Sequence, residues 1–308
     1  EEKLTKVTLN EVAHSIFYAP QYVAIEEGYF AEKGLDLTLV TGFGADKTMT
    51  AVISGEADIG FMGAEASVYA YQEGATDPVV NFAQLTQRAG NFLVAREEMP
   101  DFKWEDLKGE KVLGGRKGGM PEMVFEYILK KNGIDPQKDL TIDQSIDFGS
   151  TAAAFTSDDS AAYTVEFEPS ATILEKEGAG YVVASLGEAS GYVPYTSYST
   201  KASYMKENPE IIQKFTDALQ KGMDYVQNHT PEEIAEVIAP QFKETDLETI
   251  TAIVKRYYDQ DTWKENLIFE KDSFELLQDI LEDAGELTDR TAYENLVQTE
   301  YAQKACKN

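Results

Sequence analysis

The chain has 308 residues and a formal charge of −28, from 55 acidic and 27 basic side chains. Such a balance repels nucleic acid and acidic membrane surfaces, and a solvated face accounts for it most simply. The 43% hydrophobic content allows a full core, no apolar run approaches the roughly eighteen residues of a membrane span, and the length allows one large domain or two.

The first elements read as strand, loop, helix. Val7–Val12 is a strand and His14–Tyr18 a loop at its carboxyl end. Pro20 stands in the first turn of a helix, where its missing N–H costs nothing. Tyr22, Val23, Ile25, Tyr29 and Phe30 follow at helical spacing. Gly34 stops that helix, and Leu35–Val40 is a second strand. Gly42–Gly44 is a loop, Asp46–Ser54 a helix and Ala57–Phe61 a third strand ending in Met62-Gly63-Ala64-Glu65. The three loops lie at carboxyl ends of parallel strands, the edge at which open α/β sheets bind small ligands. A helix over Ala64–Gln72 leads to strand Val79–Leu85, and Asn91–Arg96 is a further strand beyond the polar Gln87–Gly90.

The pattern then repeats. KVLGGRKGGMPEMVFEYILKKNGIDPQKDLTI is strand, Gly-rich loop, proline-led helix, glycine stop and strand, and KKNGIDPQKDLTI answers the earlier AEKGLDLTL. A loop, a helix and strand Ala162–Val165 complete the second βαβαβ copy. Two copies predict two similar lobes, with one continuous doubly wound sheet as the alternative. Glu168-Pro169 opens a helix to Lys176, Tyr181–Leu186 is a strand, Gly187–Gly191 a turn, and Val193–Thr200 runs extended back toward the first lobe. The rest reads as helices over Pro209–Gln227, Pro231–Ile238, Asp246–Tyr257, Ser273–Ala284 and Ala292–Ala305. Asn228-His229-Thr230 is a formal glycosylation sequon, but Thr230-Pro-Glu-Glu233 reads better as a capping box.

The run YAPQYVAIEEGYFAEKGLDLTLV, the Gly-containing loop after it and AVISGEADIGFMG resemble the extracytoplasmic solute-binding proteins of ABC importers. The subfamily is the one that binds alkanesulfonates, taurine, nitrate and thiamine-pyrimidine precursors. GGRKGGMPE and VEFEPSA extend the resemblance over nearly the whole chain. It implies an α/β, two-lobed, type II periplasmic-binding-protein-like fold. Each lobe is a βαβαβ-based mixed sheet flanked by helices, and the C-terminal helices lie on lobe one. Residues 1–88 plus 195–308 are expected in lobe I and 92–190 in lobe II, with crossings near 88–91 and 191–195. The resemblance also implies capture of a small molecule between the lobes and delivery to an ABC permease. The location is extracytoplasmic, with membrane attachment only through an N-terminal lipid anchor lying outside this chain, and the protein is expected to be a monomer. Glu1 reads as a mature or trimmed start without a signal peptide.

Enzyme motifs are not met. GFGADK lacks the third glycine of a dinucleotide fingerprint, GGRKGGMPE lacks the ending of a phosphate-binding P-loop, and no Gly-x-Ser-x-Gly elbow occurs. A fungal thiamine-pyrimidine synthase shares the binding-protein fold but carries a cysteine-rich motif, and Cys306 is the sole cysteine here. With only His14 and His229 besides, no metal cluster of usual spacing exists, although an all-carboxylate site stays open. No cofactor is called for. An enzyme or a transporter-free sensor or adhesive module remains as the rival reading.

Candidate ligand contacts fall at loop ends: His14 and Tyr18; Gly44 and Ala45, whose amides precede a helix; Phe61, Met62 and Gly63; Arg88 at the crossing; Lys117 and Gly118 before the Pro121 helix; Glu166; and Tyr192. Each has a plainer alternative. Phe61 fits a core, the Gly42–Ala45 segment fits a simple turn, Arg88 fits a surface ion pair, and Glu168 fits a helix cap. Glu166 either meets the ligand or pairs with Arg88 or Arg116. A carboxylate beside a sulfonate repels it but offers an amine or aminopyrimidine paired acceptors. A nitrogen-containing, flat-ring ligand of the thiamine-pyrimidine type is therefore favoured, with alkanesulfonate, taurine or nitrate as the alternative.

Overall fold

The computed structural model of the protein describes residues 3–307. The first stretch runs β1 (Thr5–Glu11), α1 (Ala19–Glu26), α2 (Tyr29–Glu32), β2 (Leu35–Thr41), α3 (Ala45–Ser54), β3 (Ile59–Met62), α4 (Glu65–Gln72) and β4 (Val79–Thr86). The second runs β5 (Phe92–Ala95), β6 (Lys111–Leu113), α5 (Met120–Lys131), β7 (Thr141–Asp143), α6 (Thr151–Ser157), β8 (Tyr163–Glu166), α7 (Ser170–Lys176), β9 (Tyr181–Ser185) and α8 (Leu186–Ser190). The remainder is β10 (Thr196–Lys201), α9 (Ala202–Glu207), α10 (Pro209–Asn228), α11 (Pro231–Ile238), α12 (Leu247–Asp259), α13 (Lys271–Asp283), α14 (Tyr293–Leu296) and α15 (Glu300–Ala305).

The chain divides into two compact units. Unit 1 holds the chain up to Gln87, Pro194–Gln278 and the segment from Asp289 onward, and unit 2 holds Arg88–Val193 and Asp279–Thr288. Residues 279–288 thus group with unit 2, whereas the sequence reading assigned all of 195–308 to the first lobe. Within that unit Lys130 Nζ lies 3.0 Å from Asp283 and Lys117 Nζ lies 3.8 Å from Glu286.

Each unit carries one five-stranded mixed sheet flanked by helices. The unit 1 order is β2-β1-β3-β10-β4, with β1 parallel to β2 and β3, and β10 antiparallel to both its neighbours. The unit 2 order is β7-β6-β8-β5-β9, with β6 parallel to β7 and β8, and β5 antiparallel to β8 and β9. The antiparallel strand in each sheet, β10 or β5, is the first strand after the chain passes from the other unit, so the two sheets share one plan.

The unit 1 core is aromatic. Phe61 stacks on Tyr198 with centroids 4.2 Å apart, and Phe82 and Phe215 meet at 6.0 Å. Fully burying such rings contributes about 1.5–3 kcal/mol each. The helices around this core carry strong start signals. Thr230 accepts from the Glu233 amide at 3.2 Å while Glu233 accepts from the Thr230 amide at 3.2 Å, the capping box of α11. Asp246 caps α12 by accepting from Thr249 N at 2.8 Å.

Three elements differ from the sequence reading. Helix and continuation part at Gly28, whose φ of 75° a helix cannot carry, giving α1 and α2 instead of one helix. Residues 186–190, read as part of a strand and a turn, form the short helix α8, capped by Ser185 accepting from Glu188 N. The expected helix over Ala292–Ala305 breaks into α14 and α15. Val297 turns extended and bridges Asn81 of β4, and Gln298 N donates to Asn81 O at 2.9 Å. A tertiary backbone pairing here overrides local helical preference.

Candidate functional site

The candidate residues lie at the carboxyl ends of β1, β2, β3, β6 and β8 and in the segments next to β4 and β9. In unit 1, β1 ends on Glu11, which is fully buried. Its carboxylate accepts from the Tyr22 hydroxyl at 3.0 Å on each oxygen and lies 2.8 Å from His14 Nδ1. His14 Nε2 lies 2.9 Å from the carbonyl oxygen of Gln241. The ring is thus held between the Glu11 carboxyl and the Gln241 carbonyl, an arrangement that suits an imidazolium beside a carboxylate. The bond to Glu11 raises the His14 pKa above its ordinary value, against the opposing effect of burial. Burial pushes Glu11 up, and His14 and Tyr22 pull it back. Tyr22 and Phe242 pack on the His14 ring at 4.8 and 4.9 Å. His14 is therefore engaged on both nitrogens and on its ring, with about a third of its side chain (29%) exposed.

Tyr18, Phe61, Met62 and Ala64 are buried, each at 2% exposure or less. Tyr18 packs edge-on to Phe61 at 4.5 Å, and burial first, then the charges of Glu11 and Glu65, hold its hydroxyl far above the ordinary range. Gly63 is close-packed: a Cβ there would stand 2.0 Å from a Glu65 carboxylate oxygen. In the loop after β2, Gly42 N donates to Glu11 O at 2.8 Å and Gly44 N donates to Val12 O at 3.1 Å. Those two amides are therefore committed to the last residue of β1 and the residue after it. Ala45 is the first residue of α3.

In unit 2, β8 ends on Glu166, fully buried. Oε1 accepts from the Thr164 hydroxyl at 2.8 Å, and Oε2 makes no hydrogen bond among the described residues. Burial pushes its pKa up to about 7, against the pull of the Thr151 and Thr164 hydroxyls. Neither expected ion-pair partner is on it. Arg88 Nη1 donates to Gly187 O at 3.0 Å and its guanidinium lies 4.3 Å over the Tyr192 ring, while Arg116 faces Asp147 at 3.4 Å. Tyr192 remains 56% exposed. Glu168 caps the helix after it, accepting from Thr172 N at 2.9 Å and from the Thr172 hydroxyl. Lys117 faces Glu286, and Gly118 (φ 91°) lies just before α5.

The sequence reading passed over four acids. Glu11 and Glu65 flank the Tyr18 hydroxyl, and the signal for Glu11 was an acid ending an apolar strand three residues before a histidine. Glu122 and Glu126 lie one turn apart on α5, both buried. Burial, then Glu126, push the Glu122 pKa up to about 8, although Gln144 Nε2 donates to it at 2.6 Å. Among the described residues no group of three or more His, Cys, Asp or Glu is placed to hold a metal ion.

Two five-stranded mixed sheets of this order, flanked by helices, define the periplasmic-binding-protein-like fold. The alkanesulfonate-binding protein SsuA of Xanthomonas axonopodis pv. citri, solved bound to MOPS, aligns over 97% of this chain and 100% of its own with a TM-score of 0.76 at 15% identity. The chain belongs to the NMT1/THI5-like family, whose model matches residues 16–234. It is 48% identical over 304 residues to YtlA of Bacillus subtilis strain 168, covering 99% of this chain and 91% of that protein. It is 25% identical over 214 residues to the riboflavin-binding protein RibY of Chloroflexus aurantiacus, covering 68% of this chain and 58% of RibY.

Proposed function

We propose that the protein is an extracytoplasmic solute-binding protein that captures a small organic molecule and delivers it to an ABC permease without chemically changing it. Whole-length likeness in fold to SsuA and family membership support the role. No helix among the described residues is long and apolar enough to cross a membrane. The ligand is a nitrogen-containing flat ring of the aminopyrimidine kind. The observation that carries this choice is Glu166: a buried carboxyl with one oxygen committed to Thr164 and the other uncommitted. An amine donor meets that oxygen and holds the group ionised, whereas a sulfonate adds a second negative charge beside it. RibY, named for a flavin, is a relative whose ligand has the same nitrogen-ring chemistry.

The role is tested by thermal-shift screening against aminopyrimidines, flavins, alkanesulfonates, taurine and nitrate. A true ligand at a hundredfold over its dissociation constant adds about 2.7 kcal/mol of stability. A nitrogen heterocycle is expected to give that shift and to be recovered unchanged. A shift confined to the sulfonates, or a new product after incubation, contradicts this reading.

A further inference from the structure

Strand β8, Tyr163-Thr164-Val165-Glu166, lies between β5 and β6 and is buried along its whole length. A strand covered on both faces ordinarily reads as an apolar run. β8 departs from that at Thr164 and Glu166, both at 0% exposure. The two are next-but-one neighbours, so the strand's period of two sets them on the same face. There the Thr164 hydroxyl donates to Glu166 Oε1 at 2.8 Å. Thr164 is β-branched and stiff at χ1, so its hydroxyl is aimed before any ligand arrives. A second hydroxyl comes from Thr151, buried in the first turn of α6, which packs on β8. It also lies 3.4 Å from the Phe148 carbonyl oxygen, so its single proton has two acceptors to serve, and Thr164 is the firmer donor. Oε2 is left without a hydrogen bond among the described residues.

Folding alone does not call for this arrangement, because apolar side chains of similar shape would fill both positions without burying an acid. We propose that Thr164 is the positioning residue of the ligand site: by holding Oε1 it fixes the direction of the carboxylate, keeps it ionised for an arriving amine, and reserves Oε2 as the acceptor that reads the ligand. The inference rests on the aminopyrimidine reading above and adds to it the residue that sets up the acceptor. Thr164 acts through Glu166 and need not touch the ligand. A hydroxyl donor favours the charged form of a carboxyl, so the Thr164 bond opposes the burial that lifts the Glu166 pKa to about 7. The ionisable groups around the strand are engaged elsewhere. β5 and α6 contain none. On β6, Lys111 donates to Ser160 at 3.0 Å and faces Asp143, and on β8 the Tyr163 hydroxyl donates to Met99 Sδ. Glu168, just beyond the strand, accepts from Thr172.

The test is calorimetry with the hydroxymethyl aminopyrimidine of thiamine as probe, from pH 6 to pH 9, on wild type, Thr164→Val and Thr164→Ser. Carbon NMR of the Glu166 carboxyl, titrated without probe, runs beside it. Thr164→Val keeps the shape and removes the donor. It should weaken binding about tenfold at pH 7. The ratio to wild type, in which the probe's own protonation cancels, should be largest at pH 6 and shrink toward pH 9. In the free protein the Glu166 titration should move to higher pH. Thr164→Ser returns the hydroxyl without the second branch, and should restore affinity to within about threefold and bring the titration back to its wild-type midpoint. Three results overturn the inference while leaving the ligand class standing: Thr164→Val binding as wild type at every pH; a loss of equal size at every pH with the Glu166 titration unmoved, which assigns Thr164 to packing; or Thr164→Ser failing to restore affinity and titration. A wild-type protein that binds no nitrogen heterocycle overturns the reading underneath, and this inference with it.

Discussion

Glu11 in unit 1 and Glu166 in unit 2 are both fully buried acids at the last residue of a strand, and the two units treat them differently. Glu11 has the His14 ring nitrogen 2.8 Å away and the Tyr22 phenol donating to it at 3.0 Å. Glu166 has only hydroxyls beside it, Thr164 donating to Oε1 at 2.8 Å and Thr151 also drawing on the carboxyl. Burying a charge costs several kcal/mol unless a partner offsets it. The first carboxylate is therefore satisfied internally and serves the fold, whereas the second is left with unspent acceptor capacity. Burial at a strand end is common to both acids; what separates them is the Glu166 oxygen left without a hydrogen bond among the described residues. His14 teaches the same lesson. A lone histidine at a strand end invited a ligand role, yet its two nitrogens are already committed to Glu11 and Gln241.

The strongest way to break this comparison is to remove the satisfied partner. Glu11→Gln strands the His14 charge and should cost about 3–5 kcal/mol, read as a lower urea midpoint. Unchanged stability would mean that no ion pair exists there and that the contrast with Glu166 is empty.

A somewhat smaller effect sharpens the other half. Burial pushes the Glu166 pKa from its ordinary 4.5 up to about 7, so between those values the native state holds a proton that the unfolded chain releases. That contribution is intact below pH 4.5, declines as pH rises toward 7, and levels off above it. Its size is at most about 3 kcal/mol. Glu122, raised to about 8, extends the decline in the same direction. Glu166→Gln should therefore be more stable than wild type at pH 8 and converge with it near pH 5, and urea midpoints across that range check the crossing. A mutant that tracks wild type at every pH would place the titration elsewhere.

Much of the architecture was legible because two devices write themselves plainly in sequence: period-2 and helical apolar patterns, and glycine or proline at their ends. The duplicated βαβαβ pattern, Pro20 in α1, Gly34, the Thr230-Glu233 box and the Glu168 cap all work this way, through neighbours close in the chain. The misreadings involve distant partners. Val297 leaves its helix for a strand more than two hundred residues away. Residues 279–288 group with unit 2, where they carry the partners of Lys117 and Lys130, a placement that no periodicity announces. Within the site, position along a strand was readable but inward or outward aim was not. Phe61 and Met62 fall where a ligand contact was expected and are core, whereas Phe43, in a loop read only for its glycines, is exposed. Glu122 and Glu126 were missed because apolar-face reasoning assigns acids to solvent, and α5 buries them.

The most direct test of the central claim is calorimetry of wild type against Glu166→Gln, titrated with the thiamine aminopyrimidine and with an alkanesulfonate. If Glu166 receives a ligand amine in a desolvated site, wild type binds the aminopyrimidine, the mutant loses about 2–5 kcal/mol of that affinity, and the sulfonate binds neither protein well. Equal aminopyrimidine affinity in the two proteins, or tighter binding of the sulfonate, would contradict the account.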